Sequence, residues 1–310
     1  MLGEKAQEKL LIVIAGPTAV GKTDLCLQLA QELNTEIISA DSRQFYKEMS
    51  IGTAKPINSE LEKVKHYFIN THTVAAEYNA GEYENEALAV INNVFEKNIT
   101  AILTGGSGLY IRAVTEGMDD MPEIGVGIRE QLKQDLQSKG LVYLLNQLQR
   151  LDPVYYLQVD RDNTQRVIRA LEVCISSGKP YSSFRGVNLN KHKRQFKILK
   201  ICLYRDRDEL YARIDARMDQ MLRNGLLEEV KALYPYRNQN ALQTVGYKEL
   251  FDFLDGQYDW EEAVRLLKRN SRRYAKRQLT WFRKDKEYAW FHPDNAAEIL
   301  RFIQQHLPGK

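Results

Sequence analysis

Short apolar runs alternate with amphipathic segments through the first third of the chain. Each apolar run predicts a buried strand, and each segment with apolar residues every three or four positions predicts a helix. Strands that alternate with helices form a parallel sheet covered on both faces, so we predict an α/β fold. The predicted strands are at 10–15, 36–40 and 100–104, and the predicted helices are at 22–33 and 80–97.

The pattern changes between residues 119 and 197, where no strand is evident and glycine and proline separate amphipathic helices. We therefore predict an all-helical insertion at 119–197 within an α/β core made of 8–118 and 198–310. The helices predicted in the insertion are at 129–138, 141–151 and 164–176, with breakers at Gly140 and Pro153. After the insertion, a returning strand is predicted at 196–204 and long helices at 207–225 and 260–282.

Composition narrows the class of protein. The chain has 310 residues, of which 44% are hydrophobic and 27% are charged, as in globular proteins. No apolar run reaches the roughly eighteen residues that a membrane span needs, so we expect no membrane partner. The polar segment 1–9 does not resemble a signal peptide, and three widely spaced cysteines without a C-x-x-C pair fit a cytoplasmic protein.

Positive charge is concentrated although the net charge is only +3. Segment 265–284 has nine lysines and arginines and no carboxylate, and a second basic segment lies at 179–197. A helical face of that kind predicts contact with a polyanion larger than a nucleotide. We expect the first segment, which includes Arg272 and Arg273, to follow the phosphates of a nucleic acid.

One octet has the pattern G-x-x-x-x-G-K-[ST] between the first strand and the first helix. This pattern predicts a loop whose backbone N–H groups surround phosphate oxygens at a helix N-terminus, as in P-loop NTPase-like folds. A chance glycine turn is the alternative, but strand, spacing and helix all favour the phosphate loop. The octet comprises Gly16, Pro17, Thr18, Ala19, Val20, Gly21, Lys22 and Thr23.

Other candidate residues admit two interpretations each. Asp41, at the end of the second strand, is either a proton acceptor facing the loop or a helix N-cap. Arg213 and Arg217 share one helix face, which is either a solvated basic face or, if that helix packs over the loop, a diphosphate clamp. Ser107 either contributes a hydroxyl to the site or belongs to a plain glycine turn. The third strand ends in Thr104 instead of aspartate, which argues against a motor-type ATPase.

Several motifs together resemble those of the bacterial tRNA dimethylallyltransferases. They occur in the order of that family from about residue 11 to about residue 284, with Ser107 in place of the usual threonine. Two intervening blocks, 65–70 and 77–83, match only loosely. The matching motifs are at 16–23, 41–46, 52–56, 105–110, 165–169, 244–249 and 272–283.

The resemblance implies transfer of a dimethylallyl group from dimethylallyl diphosphate to N6 of the adenosine next to the anticodon, position 37. It implies that Asp41 accepts the proton of that amine and that the octet binds diphosphate without consuming ATP. Lys22, Mg²⁺ on Thr23 and an arginine, Arg217 before Arg213, would stabilise the leaving group. The helical insertion would grip the anticodon stem-loop. The implied tRNA contacts are Asp41, Ser42, Arg43, Gln44, Ser107, Arg129, Gln165, Arg166, Val167, Ile168 and Arg169.

Three other functions are compatible with the phosphate loop. A small-molecule kinase would use Asp41 as the base on a hydroxyl group. An isopentenyltransferase acting on free adenine nucleotides would need neither the helical insertion nor the basic helix. A non-catalytic RNA-binding regulator would have no need of Lys22, Thr23 and Asp41. Nothing in the sequence requires more than a monomer.

Overall fold

Six strands form a single parallel sheet in the computed structural model, which describes residues 8–186 and 194–307. The strands are β1 (Leu10–Ala15), β2 (Ile37–Ser39), β3 (His66–Tyr67), β4 (Thr100–Gly105), β5 (Lys197–Leu203) and β6 (Ala289–Phe291). Their order is β3-β2-β4-β1-β5-β6, and every pairing is parallel. The predicted α/β sheet is therefore confirmed.

Thirteen helices surround or extend this sheet within the described residues. The helices are α1 (Lys22–Glu32), α2 (Asn58–Leu61), α3 (Ala80–Lys97), α4 (Gly108–Glu116), α5 (Ile128–Lys139), α6 (Leu141–Leu151), α7 (Pro153–Gln158), α8 (Thr164–Ser177), α9 (Arg207–Arg223), α10 (Leu226–Leu233), α11 (Tyr247–Leu254), α12 (Trp260–Phe282) and α13 (Ala296–Gln305). The helices predicted at 80–97, 141–151 and 260–282 have the predicted bounds.

The central strand β1 is apolar throughout because both of its faces are covered. Leu11 and Val13 pack with α3, α4 and the helices α10–α12, whereas Ile12 and Ile14 pack with α1, α9 and α13. All six residues of β1 are buried, which explains an unbroken apolar run instead of an alternating one. This packing fixes the end of β1, from which the octet extends.

The chain divides into two compact units. The first contains the described residues up to Thr115 together with those from Arg194 onward, and the second begins at Glu116. The second unit consists of helices around its own core, which includes Leu144, Leu148 and Leu171. Its predicted boundaries were 119 and 197. Part of the second basic segment, 187–193, lies outside the described residues.

Pro153 was predicted as a breaker, and it does end α6, but it also begins a further helix. Proline is tolerated at the first helical position because the N–H that it lacks has no partner there. The Asp152 carboxylate caps α7 by accepting from Tyr155 N at 2.9 Å. The short strands β3 and β6 and the helices α2, α4, α10, α11 and α13 were also not predicted.

Candidate active site

The octet forms the turn between β1 and α1, as the pattern predicted. α1 begins at Lys22, directly after Gly21, whose φ of 110° lies in the left-handed region that favours glycine. Ala19 also has a left-handed φ, 63°. A non-glycine residue held in that region is strained, and such residues concentrate at binding and catalytic sites. Because α1 begins directly after Gly21, the backbone of the loop lies at the positive end of the α1 helix dipole.

The ammonium group of Lys22 is enclosed by the loop. It donates to the carbonyl oxygens of Gly16 at 2.9 Å and Pro17 at 2.8 Å. Burial lowers the pKa of Lys22 to about 8; the nearby Asp41 carboxylate opposes this change and the Arg217 cation adds to it. The Lys22 ammonium group thus has hydrogen-bond acceptors, but the nearby negative charge does not balance its positive charge. This arrangement favours an anionic ligand.

Helix α9 packs over the loop, which is the condition that the clamp interpretation required. Arg213 donates from Nε to the Ala19 carbonyl at 2.9 Å, and Arg217 approaches the Thr18 hydroxyl at 3.4 Å. Burial lowers the pKa of Arg217, opposed by Asp41. Arg217 is half-buried and Arg213 is exposed. The interpretation of this pair as a solvated basic face is therefore wrong.

Asp41 follows β2 but does not cap a helix. Its Oδ1 accepts from the backbone N–H of Arg43 at 2.9 Å in a turn. Its other oxygen has no hydrogen-bond partner among the described residues, and the carboxylate faces the same cavity as Lys22 and Arg217. The N-cap interpretation is excluded, and one carboxylate oxygen remains available to accept a proton.

A cavity of about 490 Å³ opens in front of the loop. Its lining includes Lys22, Thr23, Asp41 and the two arginines of α9. It also includes a set of mostly apolar residues, several of which share one hydrophobic cluster: Ala54, Met218, Met221, Leu226, Val245 and Tyr247. A ligand with an anionic group joined to a short apolar group matches this mixed lining.

The glycine turn after β4 is tied to the turn that follows Asp41. Ser42 N donates to the Ser107 hydroxyl at 2.9 Å, and the Tyr274 side chain of α12 also bonds to Ser107. Burial raises the pKa of Tyr274 to about 12, so this phenol stays neutral beside Asp41. Ser107 is therefore part of a network at the site and not of a plain turn.

Arg43 and Gln44 complete this wall of the cavity. The Gln44 amide donates to the Thr53 and Ala54 carbonyls at 3.3 Å each and orders the segment that carries them. Arg43 Nε is buried without a hydrogen-bond partner among the described residues. A buried guanidinium nitrogen left unpaired is costly, which makes this edge a second place that favours an acceptor group.

Two arginines of the helical unit share one buried carboxylate. Arg129 forms a two-pronged pair with Glu172 at 2.5 and 3.1 Å, and Arg169 reaches the same carboxylate at 3.3 Å. Gln165 and Arg166 are exposed on the first turn of α8.

Val167 was expected to contact tRNA with its neighbours at 165–169, but its side chain is fully buried. It lies in the apolar core of the helical unit, and Ile168 packs against the same core. The helical periodicity of α8 turns position 167 inward while positions 165 and 166 face solvent. A side-chain contact of Val167 with tRNA is therefore wrong.

The basic face of α12 was expected to follow nucleic-acid phosphates, but two of its residues already contact carboxylates of another helix. Arg272 contacts the Asp215 carboxylate at 2.5 and 2.7 Å, and Lys268 contacts Asp219 at 2.6 Å. These carboxylates come from α9, so segment 265–284 alone did not reveal them. Arg273 is exposed and has no ion pair among the described residues.

The donor set near Thr23 fits a magnesium ion bound mainly by its ligand. No group of three or more metal-binding side chains occurs in residues 8–186 and 194–307. Mg²⁺ commonly keeps several waters and is held by substrate phosphates with one or two protein oxygens. Thr23 lines the cavity beside Lys22 and can supply such an oxygen.

Sequence reasoning missed several residues of the cavity wall. Gln278 and Tyr274 belong to α12, which was interpreted only as a basic surface, and Met218 and Met221 belong to the inner face of α9. Segment 244–247 contributed to the family resemblance but was not assigned to the site. The alternation of small and apolar residues with basic ones in α9 and α12 is the signal that could have indicated their buried faces.

The parallel sheet and its loop define a P-loop NTPase-like protein whose cavity combines cationic and apolar lining residues. The IPP transferase family model matches residues 44–285. A tRNA dimethylallyltransferase from Christiangramia forsetii is 50% identical over 96% of this chain and 98% of its own length. The chain therefore belongs to the IPP transferase family.

Solved structures agree with this membership. The tRNA isopentenylpyrophosphate transferase of Bacillus halodurans aligns with a TM-score of 0.71 and 38% identity, over 97% of each chain. A eukaryotic dimethylallyltransferase described as acting on tRNA aligns with a TM-score of 0.71 and 31% identity, over 88% of this chain and 69% of its own. Within the described residues, no helix is both long and apolar enough to cross a membrane.

Proposed function

We propose that this protein transfers a dimethylallyl group from dimethylallyl diphosphate to N6 of the adenosine at position 37 of tRNA, next to the anticodon. The observation that carries the proposal is the mixed lining of the cavity, which combines cations and one available carboxylate oxygen with a set of apolar side chains. The names of the relatives support the substrate class. We further propose that the protein acts as a monomer in the cytoplasm.

The donor fits the cavity by its two chemical halves. The diphosphate would accept from the loop N–H groups and from Lys22, exchanging the hydrogen bonds that this ammonium makes to Gly16 and Pro17. The five-carbon dimethylallyl group would lie against Met218, Met221 and their apolar neighbours. A kinase would instead have to place the ribose and base of ATP against this apolar wall, so the geometry favours the prenyl donor.

The chemistry uses the residues that face the cavity. The adenine amine is a weak nucleophile, since its lone pair is delocalised into the ring. As N6 bonds to C1 of the dimethylallyl group, the C1–O bond breaks and its electrons go to the diphosphate oxygen. The amine proton goes to Asp41. Lys22 and Arg217 stabilise the charge on the leaving group, and Mg²⁺ held by Thr23 and phosphate oxygens would supply further positive charge.

The acceptor base must leave its stack in the anticodon loop to reach this cavity. We assign recognition of the anticodon loop to residues 41–44, three of which line the cavity, and to Ser107, which is bonded to Ser42. We also assign it to Arg129 and 165–169 of the helical unit, with Val167 contributing only to the core. Arg273 would contact phosphates from α12.

The test is transfer of labelled dimethylallyl diphosphate to bulk unmodified tRNA, with AMP and ATP in parallel reactions. We expect labelling of tRNA alone, and Asp41→Asn should lower kcat by about 10²–10⁴-fold with tRNA binding nearly unchanged. Glu261→Gln, an exposed carboxylate change on α12, is the control. Labelled AMP would favour the free-nucleotide enzyme, and phosphate transfer from ATP would favour a kinase. If Asp41→Asn had the same kcat as wild type, the assignment of Asp41 as the base would be wrong.

A further inference from the structure

Gln278 joins two loops of the site through one buried amide. The residue lies on the inner face of α12 and is only 7% exposed. Its Oε1 accepts from Thr18 N at 2.9 Å, and its Nε2 donates to the Gly106 carbonyl at 2.9 Å. One side chain thus connects the phosphate loop to the glycine turn after β4.

Both ends of the amide are required in this position. The two partners are a donor and an acceptor, and the glutamine amide offers a matching acceptor and donor at this reach without charge. The reverse orientation would place an NH₂ group against the Thr18 N–H and a carbonyl against the Gly106 carbonyl. The fit is close: a Cβ on Gly106 would lie 2.2 Å from Nε2, so a side chain there would displace the amide.

The contact acts on the strained part of the loop. Ala19, the residue after Thr18, has a φ of 63°, a conformation that is unfavourable for a residue with a Cβ. Such a conformation persists only when surrounding contacts impose it. The Thr18 N–H is fixed by Gln278, its hydroxyl by Arg217, and the Ala19 carbonyl by Arg213.

We propose that Gln278 is a positioning residue that holds the turn at Thr18 and Ala19 in the conformation that receives a diphosphate. Both polar atoms of its amide are already bonded to the two loops. It acts through the loop backbone, because a fixed Thr18 peptide determines where the following N–H groups point. This role rests on the proposed function only in taking diphosphate as the ligand of the loop.

Binding of inorganic diphosphate, measured by calorimetry on the full chain, tests this role without any turnover. Gln278→Met keeps the size of the side chain but removes both hydrogen bonds, and we expect about tenfold weaker binding, the equivalent of about 1.4 kcal/mol. Thr280→Glu, an exposed change on the same helix, should leave the affinity unchanged.

Gln278→Glu separates positioning from general stability. An ionised glutamate still accepts from Thr18 N but repels the Gly106 carbonyl, whereas a protonated glutamate restores both hydrogen bonds. Relative to wild type at each pH, this variant should bind diphosphate at least tenfold more weakly at pH 8 and approach wild type near pH 5. A merely destabilised protein would not recover on acidification.

The outcomes distinguish this role from the proposed function. If folded Gln278→Met bound diphosphate as tightly as wild type, or the loss in Gln278→Glu were the same at both pH values, the positioning role would be wrong while prenyl transfer could still stand. If wild type bound diphosphate but transferred no prenyl group to tRNA, the proposed function would fail and the positioning role would remain. Wild type that bound no diphosphate would overturn both.

Discussion

The phosphate loop and the helical unit hold their cations in opposite ways. At the loop, Lys22, Arg213 and Arg217 have no carboxylate within 4.0 Å among the described residues, and burial lowers the pKa of both Lys22 and Arg217. In the helical unit, Arg129 and Arg169 are paired with the fully buried Glu172. The charge of the loop cations is left for a ligand to balance, whereas the Glu172 carboxylate already offsets part of the charge of the two paired arginines.

The difference separates two uses of positive charge. An enclosed cation without a counter-charge is costly to the fold, and binding an anion removes that cost, so affinity and turnover should depend strongly on it. The side chain of an exposed arginine that is paired with a buried carboxylate has a fixed orientation, and the carboxylate offsets part of its positive charge. It suits recognition of a large, flexible polyanion, in which each contact contributes little.

The largest effect should follow from removing the loop cation itself. Lys22→Met keeps the length of the side chain but removes the charge, and we expect kcat/KM for dimethylallyl diphosphate to fall by about 10²–10³-fold. Lys97→Met, at the exposed end of α3, is the matched control and should behave as wild type. Near-normal kcat/KM in Lys22→Met would show that the loop cations are no more important than surface charges.

A smaller effect should distinguish the two arginines of α9. Arg217→Gln should lower kcat by about 10²-fold, because the half-buried Arg217 lies nearer Asp41 and Thr18. Arg213→Gln should lower it only severalfold, since Arg213 is exposed and its Nε is used by the Ala19 carbonyl. Steady-state kinetics with saturating tRNA measure both. The opposite ranking would make Arg213 the clamp.

Disturbing the ion pairs of Arg129 and Arg169 should have a smaller effect, and we expect that effect on tRNA binding instead of on the prenyl donor. Glu172→Gln removes the charge that orients Arg129 and Arg169, and we expect the KM for tRNA to rise about threefold to tenfold with an unchanged KM for the prenyl donor. Glu130→Gln, an exposed change on α5, is the control. Tighter tRNA binding by Glu172→Gln would mean that pairing withholds charge from tRNA instead of directing it.

The smallest effect concerns stability against pH. Burial lowers the pKa of Lys22 to about 8 from 10.5, so between these values the unfolded chain binds a proton that the folded protein has lost. Raising the pH through this range should therefore stabilise wild type relative to Lys22→Met, on the order of 1–2 kcal/mol. Urea unfolding at pH 7.5 and 9.5 measures this, with Lys97→Met as control. A difference that did not change with pH would contradict the burial of an unbalanced charge.

Local patterns were sufficient for much of this fold. Short stretches of sequence contain the apolar run of β1, the glycines of the octet and the helical periodicity of α3 and α12. The predicted positions of these features agree with the structure. The family motifs likewise identified Asp41 and Lys22, which the structure brings to one cavity together with Arg217. The two-residue strand β3 and the three-residue strand β6 are too short to show a period, and they form only because neighbouring strands offer hydrogen bonds.

The α/β class, the phosphate loop and the chemical types at the site could be predicted, because each is encoded by residues close together in the chain. Which polar groups form hydrogen bonds with each other became clear only from the folded structure. Gln278 is 260 positions from the Thr18 N–H that it binds, and Arg272 is 57 positions from Asp215. Partners so far apart leave no periodic or spacing signal, since their contact depends on how separate helices and strands pack.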